Sequence, residues 1–305
     1  MMKFFILAIL FCVNTFALES LKIDSGRYVT VENNILDVNA TTLIFLPGIF
    51  RGLDLRDAVI QQAQKAKMNF VSIHFSLHPE SILQIPSTET PYFKFHSYRT
   101  PDLAAEVLTV IKAYKIKKPL IVGLSYSSAI TSELAKSGKL PLIIETAPMI
   151  QFNESDPTGS QITSFWKNYL GLNPVFGGIL SEIYLQQVYE TYWAKKVDLL
   201  LKNYPEYEQA GIRSDMVSAY AKLSVLVDGF DFLKQDFSTG TKRLFIVGDQ
   251  EETIRAQLQN QAIALYEEQS GSSDSSFVIK GAGHIVPSDA PKAYLKVLKN
   301  ILENQ

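Results

Sequence analysis

The chain has 305 residues, 47% of them hydrophobic and 20% charged, with 29 Lys and Arg against 31 Asp and Glu. That composition excludes a disordered or collagen-like chain, and the length supplies a core large enough to need no metal or disulfide staple. No basic block is present, so the electrostatic footprint that phosphate neutralisation needs is missing and no nucleic-acid partner is expected.

The first segment reads MMKFFILAILFCVNTFALES, with one Lys at position 3, an unbroken apolar run over 4–13, and then Thr15, Phe16 and Ala17. The run is about half of what a helix needs to cross a bilayer, which favours an export signal over residues 1–17, cleaved after Ala17, over a permanent anchor. The expected location is therefore periplasmic or secreted, with no stable membrane span after cleavage. Cys12 is the only cysteine, and Phe11 before it is too bulky for a lipoprotein cleavage site, so the mature chain would carry no thiol.

Next, KIDSGRYVTVENNILDVNA interleaves polar and apolar residues around turn residues at 24–26 and 33–34, which predicts an opening β-hairpin. Compact apolar runs then recur: TTLIFL (41–46), NFVSIHF (69–75), PLIVGL (119–124), LPLII (140–144), KRLFIV (242–247) and SSFVIK (275–280). Helical patterns fill the gaps at 53–67, 101–114, 127–136, 253–269 and 291–302. Strands apolar on both faces, alternating with helices, predict a doubly wound, mostly parallel α/β sheet.

Between 150 and about 236 this rhythm breaks, leaving only helical periodicity interrupted by Gly171, Pro174, Gly177, Gly178 and Pro205. The prediction is a helical cap over residues 151–235, inserted into a core of 18–150 and 236–305. Residues 151–237 hold 15 of the chain's 34 aromatics, Trp166 and Trp193 included, which suits either the cap's own core or the lining of an apolar substrate pocket. SGSSDSS at 270–276 reads as a solvated loop.

In PLIVGLSYSSAITSELAK, Ser125 directly follows a buried strand and precedes a helix. That is the setting of a nucleophile elbow, where a tight turn lifts the serine oxygen above the sheet edge and small neighbours let strand and helix approach. Gly123 supplies one small neighbour; Ser127 stands where the G-x-S-x-G pattern has its second glycine. A serine in such a stretch can also simply cap its helix. His284, in GAGHIVPSDAP, sits on a Gly-rich turn after the last strand and is the candidate general base, because neutral imidazole can take the proton that makes a serine hydroxyl nucleophilic. His74, His78 and His96 lack that setting. The first two are four apart but lie on a strand pattern, so they are expected to be surface or loop histidines rather than a metal pair.

A carboxylate is needed to orient the imidazole. GDQEET offers Asp249, Glu251 and Glu252 after the strand KRLFIV, and Glu145 ends the strand before the insertion. Glu251 and Glu252 could equally serve as first-turn acids of the following helix. For the oxyanion, the turn at Pro47 and Gly48 after TTLIFL points to the amides of Ile49 and of Tyr126, the residue after the nucleophile.

In chain order, PGIF, GLSYSS, GDQE and GAGH together resemble the α/β-hydrolase fold family, and the resemblance covers nearly the whole mature chain. YRTPDLAAEVLTVIKAYKIKKPLIVGLSYSS is similar to the helix and strand that lead into that family's elbow. The resemblance implies an eight-stranded, mostly parallel sheet, a triad in the order Ser, acid, His, and a covalent acyl-enzyme formed without cofactor or metal. It also selects Glu251 among the acids, since the family's acid commonly follows a strand-terminal glycine as G-x-x-D or G-x-x-E; Asp249 and Glu145 stay as alternatives. Ser125 is then nucleophile, His284 base, and Ile49 with Tyr126 the oxyanion donors. The implied function is an exported serine esterase or lipase-like hydrolase acting on a small, partly apolar ester. Three departures stand out: Ser127 at the elbow, Pro47 where many members carry His, and SLHPES after NFVSIHF, which lacks the usual Asp and Gly-rich turn. A catalytically impaired binding protein on the same fold, or a peptidase or amidase of the family, are the rival readings, and the oligomeric state is not set by these residues.

Overall fold

A computed structural model describes residues 17–49, 55–94, 98–151, 177–203, 205, 208, 212–237, 240–250, 256–284 and 286–304. The apolar leader up to residue 16, His96, Trp166, Glu251 and Glu252 lie outside the described residues. Strands β1 (Ala17–Asp24) and β2 (Arg27–Asn34) form the expected antiparallel hairpin. Its turn holds Gly26 at φ +73°, where a Cβ would lie 2.1 Å from the Thr90 carbonyl oxygen, so only glycine fits. Asn33 and Asn34 stay in β2 instead of turning, because the strand keeps pairing with the Asn69–His74 strand as far as Asn34 opposite Phe70.

The remaining strands are β3 (Thr42–Leu46), β4 (Asn69–His74), β5 (Pro119–Leu124), β6 (Leu142–Thr146), β7 (Lys242–Gly248) and β8 (Ser276–Ile279). They complete an eight-stranded sheet in the order β1-β2-β4-β3-β5-β6-β7-β8, parallel from β4 to β8. The two-residue period divides the core between the faces. Leu43 and Phe45 of β3 pack with α1 (Leu55–Lys65) and the C-terminal Pro291–Glu303 helix, whereas Ile44 and Leu46 pack with the Thr100–Ala113 and Ser128–Lys136 helices. In chain order the helices are α1, α2 (Pro79–Ile82), α3 (Thr100–Ala113), α4 (Ser128–Lys136), α5 (Gly177–Asn203), α6 (Val217–Val227), α7 (Ala256–Ser270), α8 (Val286–Asp289) and α9 (Pro291–Glu303). Each fully buried Leu or Ile contributes about 1.5–3 kcal/mol, so these two faces dominate the stability.

Between β6 and β7 the described residues form α5 and α6 and add no strand to the sheet. Trp193 donates its indole N–H to Ser224 at 2.7 Å and Tyr189 donates to Asp228 at 3.0 Å, so these rings build the interior of the helix pair itself. The insertion closes at its base through the Gln151–Asp231 bridge and the Phe232 amide donated to Ile150. The Phe232 and Phe237 rings pack edge-on instead against Phe245 of β7 and Tyr266 of α7. Among the described residues, no helix is long and apolar enough to cross a membrane.

One expectation is corrected here. His74 and His78 are not on the surface: both are only 2% exposed, and His78 Nδ1 accepts the Phe75 amide at 3.0 Å. The turn after β4 folds back under α2, which sequence periodicity cannot show. Among the described residues, no group of three or more side chains is placed to hold a metal ion.

Candidate active site

The site grows from β5. Its last ladder pairs set Leu46 of β3 beside Gly123, so the turns that follow both strands emerge side by side at one sheet edge. Gly123 must lack a side chain, since a Cβ there would lie 2.8 Å from the Thr131 methyl. Ser125 then adopts φ +47°, the left-handed region that a β-carbon disfavours, and a single 3-10 turn over Ser125–Ser127 leads into α4. The serines of this turn do not cap the helix: Ser127, at the capping position, makes no capping bond.

Ser125 Oγ lies 2.9 Å from His284 Nε2, across 159 residues of sequence. The imidazole is delivered by the loop after β8, which is braced on three sides. The Gln250 amide donates to the Ala282 carbonyl at 2.9 Å, the Gly281 amide to Asp249 Oδ1 at 2.6 Å, and the Gly283 amide to Asp289 Oδ2 at 2.9 Å. Asp289, on α8, was not singled out in the sequence; an Asp in a short helix five residues past a histidine carries no signature of that contact.

The acids separate clearly. Glu251, the residue the resemblance selects, lies outside the described residues, although its neighbour Gln250 runs beside the histidine loop. Asp249 braces that loop through Gly281 and is not bonded to the imidazole. Glu145, the other alternative acid, is turned under α4 by strand parity. Fully buried, it accepts from Thr131 at 2.7 Å and pairs with Arg243 at 3.1 Å. Burial pushes the Glu145 carboxyl up despite the guanidinium, and the same burial pulls Arg243 down, while Phe232 and Phe237 lie over the guanidinium at 5.3 and 5.2 Å. This is a buried pair joining two neighbouring strands, β6 and β7, that read as apolar.

Ile49 follows the Pro47-Gly48 turn and is partly buried against the core, and Tyr126 is buried beside Ser125. The Tyr126 side chain reaches the inserted helices, donating to the Leu223 carbonyl of α6 at 3.1 Å, and burial raises its phenol well above the ordinary range. Thr100 and Lys222 make further ties between core and insertion, to Leu226 at 3.1 Å and Phe93 at 3.0 Å. Behind the elbow, the Ser76 amide and hydroxyl both donate to Glu106, and the Ser76 hydroxyl also meets Tyr98 at 2.9 Å. Burial pushes the Glu106 carboxyl up to about 7. A surface groove of about 380 Å³ along α5, lined by Val188, Tyr192 and Leu199 among others, contains none of the site residues.

No family model matches the sequence, and no curated protein does. Solved structures do match it. They include a carboxylesterase of the thaumarchaeon Nitrososphaera gargenis, 18% identical with a TM-score of 0.63, over 93% of this chain and 98% of that one. An esterase from Thermogutta terrifontis is 12% identical with a TM-score of 0.62 over 94% and 98% of the two chains. MGS-M2, an α/β hydrolase enzyme from a Medee basin deep-sea metagenome library, is 14% identical with a TM-score of 0.60 over 92% and 95%. With the strand order and the inserted helices, these similarities show that the chain has the α/β-hydrolase fold.

Proposed function

We propose that the protein is an exported serine hydrolase that cleaves the ester bond of a small, partly apolar substrate. The observation that carries this is the 2.9 Å approach of Ser125 Oγ to His284 Nε2 on a positive-φ elbow. The solved structures of the same fold that are esterases by name support the hydrolase class. With the imidazole proton on Nδ1, Nε2 accepts the Ser125 proton as Oγ bonds to the ester carbonyl carbon. The carbonyl electrons move to oxygen, where the Ile49 and Tyr126 amides donate. Collapse breaks the bond to the alcohol, which leaves with the proton from Nε2, and water repeats the sequence to free the acid and Ser125. Glu251 is assigned as the acid that holds the imidazole, supported by the path of Gln250 beside Ala282. The leader over 1–17 supports export, and the helices of the insertion form a cap over the substrate.

The test is Ser125→Ala. Turnover of p-nitrophenyl acetate or butyrate and labelling by a fluorophosphonate should both vanish while the melting temperature holds. A wild type that neither labels nor turns over would favour the binding-protein reading, and preferential cleavage of an amide over its matched ester the peptidase reading.

A further inference from the structure

We infer that Ser127 is a positioning residue, fixing the turn that presents the Ile49 amide to the oxyanion; the inference rests on the acyl-transfer reading above. Ser127 occupies the elbow position at which the family pattern has glycine, yet it is fully buried and its hydroxyl donates to the Pro47 carbonyl, 80 residues away in sequence.

The geometry gives that bond a specific task. The ladder between β3 and β5 ends at Leu46 opposite Gly123, so the Pro47 carbonyl lies past the last pair, buried, and needs a donor from outside the sheet. Ser127 supplies it. The turn itself joins a stiff residue to a loose one: the Pro47 ring locks its own φ, while Gly48 has no Cβ to limit rotation on either side of its α-carbon. The Pro47 carbonyl shares its peptide plane with the Gly48 nitrogen. Holding that carbonyl therefore fixes one side of the Gly48 α-carbon, the pivot that decides where the Ile49 amide points. Glycine at 127 would leave this plane without its donor, and the oxyanion donor would hang from an unconstrained glycine.

Ser127→Ala and Ser127→Gly test this with p-nitrophenyl butyrate and two inhibitors. One is a trifluoromethyl ketone, which Ser125 converts to a tetrahedral oxyanion; the other is butan-1-ol, a neutral alcohol that carries no oxyanion. We expect kcat, normalised to folded enzyme, to fall about 10-fold to 100-fold, short of the effect of deleting a donor outright. KM and alcohol inhibition should stay within about twofold, and trifluoromethyl ketone affinity should fall in proportion to kcat. A role confined to packing would lower the amount of folded enzyme without that split. Unchanged kcat and ketone affinity in both variants overturn the inference, as does a rise in KM at constant kcat. Full turnover in Ser125→Ala would sink the acyl-transfer reading itself, so the two failures are told apart.

Discussion

Gly248 ends β7 where the loop carrying His284 crosses it, and an alanine Cβ there would sit 2.1 Å from the Ala282 carbonyl oxygen and 2.6 Å from the Gly283 oxygen. Carbon and carbonyl oxygen tolerate about 3.3 Å, so Gly248→Ala must drive this backbone away by about 1 Å. No flexible side chain is available to absorb the push, and the Ala282 carbonyl also accepts the Gln250 amide. The displaced segment ends one residue before His284, whose Nε2 now stands 2.9 Å from Ser125 Oγ. A misplacement of about 1 Å at reacting groups can cost about 100-fold in rate, and the overpacking itself about 1–3 kcal/mol in stability. The assay is p-nitrophenyl butyrate turnover per folded molecule, with the melting temperature read in parallel. Gly281→Ala is the control: nothing lies within 4 Å of its Cβ, but its φ of +77° makes alanine cost about 1–2 kcal/mol in stability, with turnover near wild type. Wild-type turnover and melting temperature in Gly248→Ala would refute the account of how the histidine loop is held.

Glu145→Gln leaves Arg243 buried without its counter-ion, which should cost about 3–5 kcal/mol and lower the melting temperature by at least about 5 °C, with kcat per folded molecule unchanged. A large loss of kcat at an unchanged melting temperature would instead return Glu145 to the triad. Glu106 gives a pH test: its folded carboxyl titrates at about 7 against an ordinary 4.5, so its contribution is full below pH 4.5 and is lost as pH rises through 7. The loss amounts to about 3 kcal/mol by pH 8, so the stability of wild type relative to Glu106→Gln should fall by that amount between pH 4.5 and 8 in urea titrations; a flat difference would count against it.

The sheet was largely legible because buried parallel strands announce themselves: TTLIFL, PLIVGL and KRLFIV each became a strand within a residue or two of the predicted ends. The pair Ser125 and His284 was legible for a related reason, since strand ends and glycines mark where a chain can lift a side chain clear of the sheet. Partners chosen by parity and by three-dimensional crossing were not. Arg243 stands in an apolar strand, and nothing in KRLFIV reveals that it meets Glu145 rather than solvent. His78 does lie in a loop, the turn before α2, but its burial there depends on the packing of α2, which the sequence does not show. Asp289 accepts the Gly283 amide and Glu106 the Ser76 amide, contacts with the backbone that any acceptor side chain in reach can make.

The elbow shows how local geometry decides what a sequence departure means. Ser125, Tyr126 and Ser127 form one tight turn, and its left-handed first residue sends their side chains in different directions. Three consecutive residues therefore face three different neighbours: Ser125 the histidine loop, Tyr126 the inserted helix α6 through Leu223, and Ser127 the Pro47 turn. A left-handed serine costs about 1–2 kcal/mol, and it persists only where its surroundings over-determine it. Tethers in three directions from one turn supply that determination. The side chain at 127 is the one aimed at the Pro47-Gly48 turn, so a serine there does not weaken the elbow but adds a brace that glycine cannot make.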